Sequence, residues 1–181
     1  MMNHRKAWRV GSATVALALC AAAAWGPGAT AAERSVAACS GTDLKAKVTG
    51  SAAGMSQPAA YVTVTNVGAA SCFVKGYPTI AGAWTKKGKQ QIAVTNGAVM
   101  NAPESKPKRI VLAPGGHAWF AVGAATAYDP PVVTFTRLSI SMAGGGITMV
   151  RNLGLQASAP SGQPFPLGVT AYAAGIGTSS E

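Results

Sequence analysis

Apolar and polar residues alternate along much of the chain, and helical periodicity is almost absent. The clearest example is the run AAYVTVTNVG, residues 59–68. Ala60, Val62 and Val64 fall on one side of an extended chain, and the residues between them fall on the other. Strict alternation of this kind predicts a β-strand with one buried face and one solvent-facing face.

Further short runs, separated by Gly, Pro and Asn turns, predict about eight or nine strands in all. The runs lie at residues 43–50, 59–68, 73–84, 83–94, 108–123, 131–150 and 165–172. In the run at 83–94 we expect a hairpin whose tip carries Lys86, Lys87 and Lys89, with Gly88 supplying the positive φ of a tight turn. The spacing favours an all-β, immunoglobulin-like antiparallel β-sandwich, with a closed barrel as the alternative.

The beginning of the chain has the pattern of a secretory signal peptide at residues 1–31. A basic segment precedes an apolar run from Ala13 to Trp25, and small residues follow, with cleavage expected near Ala31. The apolar run is shorter than the roughly 20 residues that span a bilayer, so no transmembrane segment is expected in the mature chain. An alternative is a lipid anchor on Cys20, although Leu19 stands where lipoprotein signals have a small residue.

The mature chain then holds about 150 residues, enough for one domain with its own core. We expect a single β-sandwich domain at residues 38–173 and a flexible tail at 174–181. Two cysteines remain after processing, Cys39 and Cys72. Exported proteins keep disulfides, and only one pairing is possible, so a Cys39–Cys72 bridge is predicted. It would stabilise the fold by roughly 3 to 4 kcal/mol.

The mature chain is basic. Of its fifteen lysines and arginines three leave with the leader and all five acids stay, which gives a net charge of +7. Charged residues make up only 11% of the chain, too few for the dense basic face of a nucleic-acid-binding protein. Two groups of cations stand out and would form one anion-binding patch if they lay at the same end of the sandwich. They are Lys86, Lys87 and Lys89, and Lys106, Lys108 and Arg109. The alternative is a set of solvated turn lysines that prevent edge pairing.

Catalytic chemistry has little support. His117 is the only histidine in the mature chain, and a hydrolase would use it as general base with Asp129 as its orienting partner. No serine lies in a G-x-S-x-G nucleophile setting, so we interpret His117 as a surface strand residue. The carboxylates Asp43, Glu104 and Asp129 lie in separate loops. One histidine and few acids supply neither a metal site nor a cofactor site. The glycines of residues 143–149 predict a flexible hairpin loop.

Three features together resemble a known family. They are the early Cys39, the element N-x-G-x-x-x-C-x-x-x-G-Y-P at residues 66–78, and VLAPGGHAWF at residues 111–120. The chain resembles the actinobacterial exported proteins grouped as domain of unknown function family 4232, over about residues 38–172. The resemblance implies a secreted or lipid-anchored envelope protein with an immunoglobulin-like β-sandwich and no established activity. Many members carry a second cysteine pair, which this chain lacks.

Three functional hypotheses from different classes remain. The leading one is a non-catalytic exported domain that binds or scaffolds a component of the cell envelope through loops at one end of the sandwich. Its expected partner is an anionic envelope polymer or lipid, or another exported protein, and the charge density disfavours nucleic acid. The first alternative is a secreted protease inhibitor that presents the loop at residues 96–108. The second is a hydrolase that uses His117.

Overall fold

Thirteen β-strands make up the regular structure of the described residues, which contain no helix. The computed structural model describes residues 35–54, 56–97, 99–126 and 132–178. The strands are β1 (Ala37–Ala38), β2 (Leu44–Ala52), β3 (Ala59–Asn66), β4 (Cys72–Lys75), β5 (Thr79–Thr85), β6 (Gly88–Gln90), β7 (Ile92–Asn96), β8 (Arg109–Leu112), β9 (His117–Ala124), β10 (Val132–Ser141), β11 (Ile147–Ser158), β12 (Phe165–Val169) and β13 (Ala173–Ala174). The number exceeds the predicted eight or nine because β1 and β13 lie outside the predicted runs, and because short breaks separate β4 from β5 and β6 from β7.

Hydrogen bonds join these strands into three sheets. One has four strands in the order β11-β10-β5-β6, one has six strands with the path β2-β3-β9-β12-β7 and β13 beside β9, and one has three in the order β1-β4-β8. Most neighbours are antiparallel, but β1 with β4 and β12 with β7 are parallel pairs. β11 contacts β2, β3, β9 and β12, so the four-stranded sheet packs on the six-stranded sheet. The predicted all-β sandwich is confirmed, and its immunoglobulin-like topology stays a prediction.

The main core lies between the four-stranded and six-stranded sheets and extends to the three-stranded sheet. Phe135 of β10 meets Phe165 of β12 edge to face, with ring centroids 5.6 Å apart. Phe120 of β9 meets Tyr172 in the same way at 5.5 Å. Besides Tyr61, the largest fully buried side chains are Phe120, Phe135, Leu112, Leu138, Ile140, Leu155, Leu167, Val62, Val64, Val122 and Val150. Their positions follow the alternation in the sequence, since every second residue of a strand faces the same side.

The second face of β3 is also buried, so the prediction of a half-buried strand was wrong. Tyr61 lies on this face and packs with Val99 and Ala121 in a separate small hydrophobic cluster. Its hydroxyl donates a hydrogen bond to the carbonyl oxygen of Asn101 at 2.8 Å, and its ring lies 5.7 Å from that of Trp119. The loop after β7 therefore covers a sheet face that alternation alone assigns to solvent.

The segment at residues 173–178, most of which we expect to be a flexible tail, contacts the six-stranded sheet. β13 pairs with β9, and the Gly177 amide donates to the hydroxyl of Thr63 at 3.2 Å. The Thr49 hydroxyl donates to the Gly177 carbonyl. A Cβ on Gly177 would lie 3.0 Å from Trp119, so glycine lets the chain cross this ring closely. Residues 179–181 lie outside the described part, as do the predicted leader, Cys20, the cleavage site near Ala31, and Asp129.

The predicted disulfide is present. Cys39 follows β1 and Cys72 begins β4, with 4.8 Å between their Cα atoms. The loop between β10 and β11, interpreted from sequence as flexible, hydrogen-bonds to the segment beside this bridge. The Gly144 amide donates to the Cys39 carbonyl at 3.1 Å, and the Gly41 amide donates to the Gly145 carbonyl at 2.9 Å. A Cβ on Gly144 would overlap the carbonyl oxygens of residues 38 and 39, so this glycine is needed for close backbone packing.

Candidate functional site

The described residues carry far more positive than negative side chains. Eleven are lysine or arginine, all of them exposed, and two are carboxylates. The cations are Lys45, Lys47, Lys75, Lys86, Lys87, Lys89, Lys106, Lys108, Arg109, Arg137 and Arg151. Within the described ranges no side chain of either sign lies in an ion pair.

Both described carboxylates accept hydrogen bonds from within the domain. Asp43 accepts from the hydroxyl of Ser40 at 2.6 Å and from its amide at 3.0 Å, and these bonds lower the pKa of the carboxyl group. Glu104 accepts from the Ala171 amide at 3.3 Å. It also lies beside Tyr77, where burial first, and then the charge and hydrogen bond of Glu104, raise the pKa of the phenol. The two carboxylates thus anchor loops, and neither of them gives a cation of the described ranges a counter-charge.

The hairpin predicted at residues 83–94 is present between β5 and β6. Lys86 and Lys87 form its turn, and the Lys87 amide donates to the hydroxyl of Thr85 at 3.1 Å. Gly88 has the expected positive φ of 125°. Lys86 and Lys87 are exposed at the tip and lie next to residues 132–134 at the start of β10.

Lys106 and Lys108 lie exposed in the loop before β8, and Arg109 is the first residue of that strand. The Arg109 guanidinium lies 4.1 Å from the centroid of the Phe73 ring, a cation–π contact. It also donates to the carbonyl oxygen of Val36 at 2.8 Å. Arg109 pairs with Lys75 across β4 and β8, so this group gains one further cation that sequence reasoning did not include.

The two cation groups lie at opposite ends of the four-stranded sheet. Lys75 borders a cleft with Thr79 and Ser141, the residues that pair where β5 begins and β10 ends. The hairpin tip instead lies beside residues 132–134, at the other end of β10. At about 3.3 Å per residue, seven to nine strand residues separate them by roughly 20 to 30 Å. The structure therefore does not combine them into the single patch considered from sequence.

A third group of cations crosses the outer face of the four-stranded sheet. Sequence reasoning singled out Lys89 of this group but missed Arg137 and Arg151. Trp84 of β5 pairs with Lys89 of β6 on one side and with Arg137 of β10 on the other, and Arg137 pairs with Arg151 of β11. We call these four residues the cation–aromatic row. The Lys89 ammonium nitrogen and the Arg137 guanidinium carbon each lie 5.8 Å from the Trp84 ring centroid. Trp84 is part-buried, and its three neighbours are exposed.

His117 is exposed at the start of β9, as predicted for a surface strand residue. Its Nδ1 lies 2.9 Å from the hydroxyl of Thr65, which faces it across β3 and β9. Asp129, the orienting partner of the hydrolase hypothesis, lies outside the described residues. Among the residues that the structure describes, no three His, Cys, Asp or Glu side chains form a group able to hold a metal ion. None of the described segments forms a long apolar helix of the kind that crosses a membrane.

The loop at residues 96–108, the candidate inhibitor loop, is anchored at several points. Val99 is buried, and Asn101 donates from its side-chain amide to the Gln57 carbonyl at 2.9 Å. Met100 between them is 55% exposed. The Glu104 bond to the amide of Ala171 fixes the loop again. The described residues of this loop thus form a packed cover over the six-stranded sheet.

Comparison with known proteins places the chain in a family. A family model described as a domain of unknown function (DUF4232) matches residues 39–170, which is more than half of the chain. No curated protein and no solved structure matches the chain. The matched range runs from the first disulfide cysteine to the residue after β12, and it contains the whole cation–aromatic row.

Proposed function

Because the chain belongs to the DUF4232 family, a domain of unknown function, we propose its role from its surface chemistry. It is a non-catalytic exported domain that binds an anionic polymer of the cell envelope. The observation that carries this proposal is the set of eleven exposed lysines and arginines, none of which lies in an ion pair within the described ranges. Exposed cations without internal partners attract polyanions over distances of about the 8 to 10 Å Debye length at physiological salt.

Two features support export. The segment before residue 32 has the charge and apolar pattern of a signal peptide. The Cys39–Cys72 disulfide is a type of bond that persists outside the reducing cytosol. An exported cationic domain meets wall polymers and lipid head groups before it meets nucleic acid, so envelope polyanions are its most accessible partners.

The other two hypotheses gain less support from the geometry. An inhibitor loop must stand clear of its own domain to enter a protease cleft, whereas Val99 is buried and Asn101 hydrogen-bonds to Gln57 and Tyr61. For a hydrolase, the hydrogen-bond contact of the His117 side chain within the described residues is with Thr65, not with a carboxylate.

A co-sedimentation assay tests the proposal. The mature chain from residue 32 is mixed with purified, protein-free wall fragments at low and at high salt, and the bound fraction is measured. We expect binding that falls several-fold as salt rises, because the attraction is electrostatic. Fragments from which acidic polymers have been chemically stripped are the matched control and should bind little. Equal binding to both preparations, or binding that salt does not change, would refute the proposal.

A further inference from the structure

We propose that the cation–aromatic row is a binding site for a linear acidic polysaccharide, which stacks a sugar ring on Trp84 and pairs acidic groups with Arg137 and Arg151. The inference rests on the proposed function and names both the surface and the class of polymer. Lys89 closes the row on the other side of Trp84.

The row has the dimensions and direction of a polymer site. Its four residues lie on four adjacent strands and pair directly across each neighbour. Directly paired residues point to the same face of an antiparallel sheet. With strands about 4.8 Å apart, the three spacings from Lys89 to Arg151 cover about 14 Å. A linear polymer laid across the strands would meet cation, aromatic ring, cation and cation in turn.

The paired arginines indicate that the ligand is an anion. Arg137 and Arg151 are opposite each other on β10 and β11, and like charges in directly opposed positions destabilise a sheet. Proteins commonly place a carboxylate beside such a pair, but neither described carboxylate, Asp43 or Glu104, does so. A carboxylate or other acidic group bound between the two guanidinium forks would accept charge-assisted hydrogen bonds from both and remove the repulsion.

Trp84 supplies an aromatic platform that the fold makes room for. The indole extends along β5 over Gly82, where a Cβ would come within 2.7 Å of its Cη2 atom. Glycine at this position therefore lets the ring lie close to the sheet. Trp84 belongs to neither hydrophobic cluster of the domain, so a core role does not account for it. A partly exposed indole is a surface on which the apolar face of a sugar ring stacks.

A single aromatic ring favours a sugar polymer over single-stranded nucleic acid. Sites for single strands stack successive bases on several aromatic side chains, and the row contains only Trp84. A ligand that used charge alone, such as polyphosphate, would gain nothing from the ring. The combination of one ring and three cations fits a polymer that carries both sugar rings and acidic groups.

Titration of the mature chain with oligogalacturonate, a linear polymer of uronic acid sugars, tests the site. Trp84→Leu removes the ring without changing charge, and Arg137→Gln/Arg151→Gln removes the paired cations. Lys45→Gln/Lys47→Gln is the matched control, because it removes the same charge from exposed positions of β2. We expect each of the first two variants to bind about tenfold more weakly, and the control to bind within about threefold of the parent.

Fluorescence gives a second readout that does not depend on affinity. The mature chain has two tryptophans, Trp84 and Trp119, and saturation with ligand should change the emission of the parent but not of Trp84→Leu. Gly82→Ala displaces the indole without removing it and should also weaken binding, which gives a second variant if Trp84→Leu folds poorly. Neutral dextran and polyphosphate are the comparison ligands, and neither should match oligogalacturonate.

The outcomes separate this inference from the proposed function. If the parent binds oligogalacturonate but the ring and arginine variants bind as tightly as the Lys45 and Lys47 control, the row is not the site and the envelope-binding proposal stands. Polyphosphate or a DNA oligonucleotide binding as tightly as the sugar polymer, with Trp84→Leu unaffected, would likewise overturn the polysaccharide assignment alone. If the parent binds no acidic polymer and no wall fragment, both proposals fail.

Discussion

Removing the Cys39–Cys72 bridge should lower the stability of the domain by about 4 kcal/mol. The bridge closes a loop with a sequence separation of 33 residues, and the chain-entropy relation for a loop of this length gives about 4 kcal/mol at 25 °C. Typical domains unfold with about 5 to 15 kcal/mol, so Cys39→Ala/Cys72→Ala would lose a large share of the total. The midpoint of thermal unfolding should fall by about 10 to 15 °C.

This magnitude assumes that the native structure around the bridge survives its removal. Backbone hydrogen bonds support that assumption: the Cys39 amide donates to the Phe73 carbonyl at 2.9 Å. The Gly41 amide donates to the Gly145 carbonyl, and the Gly144 amide donates to the Cys39 carbonyl. The loss would then arise in the unfolded chain, which the bridge restricts. The unfolded variant also exposes more surface than the unfolded parent, which the bridge keeps more compact. The free energy of unfolding of the variant should therefore fall more steeply with denaturant concentration.

Urea denaturation of the oxidised parent and the double variant measures the difference, and amide hydrogen exchange locates it. We expect the Gly41 and Gly144 amides to stay protected in the folded variant. Cys39→Ala alone is the control and should lose nearly as much stability as the double variant, since either change removes the bridge. A loss below about 1 kcal/mol, or rapid exchange at Gly41 and Gly144 while the remaining strands stay protected, would contradict the loop-closure reasoning.

Three further predictions concern single positions. Arg151→Gln should raise the free energy of unfolding by about 0.2 to 1 kcal/mol, because it removes a like-charge cross-strand pair; chemical denaturation beside Lys45→Gln checks this, and a loss of stability would contradict it. Gly144→Ala should destabilise by about 1 to 3 kcal/mol through overlap with backbone carbonyl oxygens, whereas Gly54→Ala, which meets its neighbours only at contact distance, should change stability by less than about 1 kcal/mol. Burial raises the pKa of Tyr172 above its ordinary value of 10.0. The contribution of Tyr172 to the free energy of unfolding is therefore complete below pH 10.0, and it is lost above that pH because the unfolded chain ionises first. Tyr172→Phe should make the free energy of unfolding fall less steeply above pH 10.0, and an equal fall in both proteins would refute the assignment.

The sequence predicts the strands and the disulfide well because both depend on local or compositional information. Short segments show the alternation around Val62 and the turn at Lys86 and Lys87, and a simple count pairs Cys39 with Cys72, the two cysteines outside the predicted leader. A strand needs only its own residues to be recognised, and two cysteines allow only one bridge.

The candidate site could not be predicted in the same way because register is a long-range property. Trp84 and Lys89 are close in sequence, but Arg137 and Arg151 reach them only through pairing between β5, β10 and β11. For the same reason the alternation around Tyr61 indicated a solvent face that Val99 and its neighbours cover. Regions that fold back over a sheet leave no periodic signal at the positions they bury.

The position of β12 determines when this fold can be completed. β12 lies between β9 and β7, and its parallel pairing with β7 joins Ile92 to Phe165, 73 residues later in the chain. During synthesis, β7 therefore has no partner in its sheet, among the described residues, until Phe165–Val169 have emerged. Contacts of such long sequence separation slow folding towards the millisecond to second range. Until β12 has been made, the backbone of β7 keeps an unpaired edge that other strands can contact.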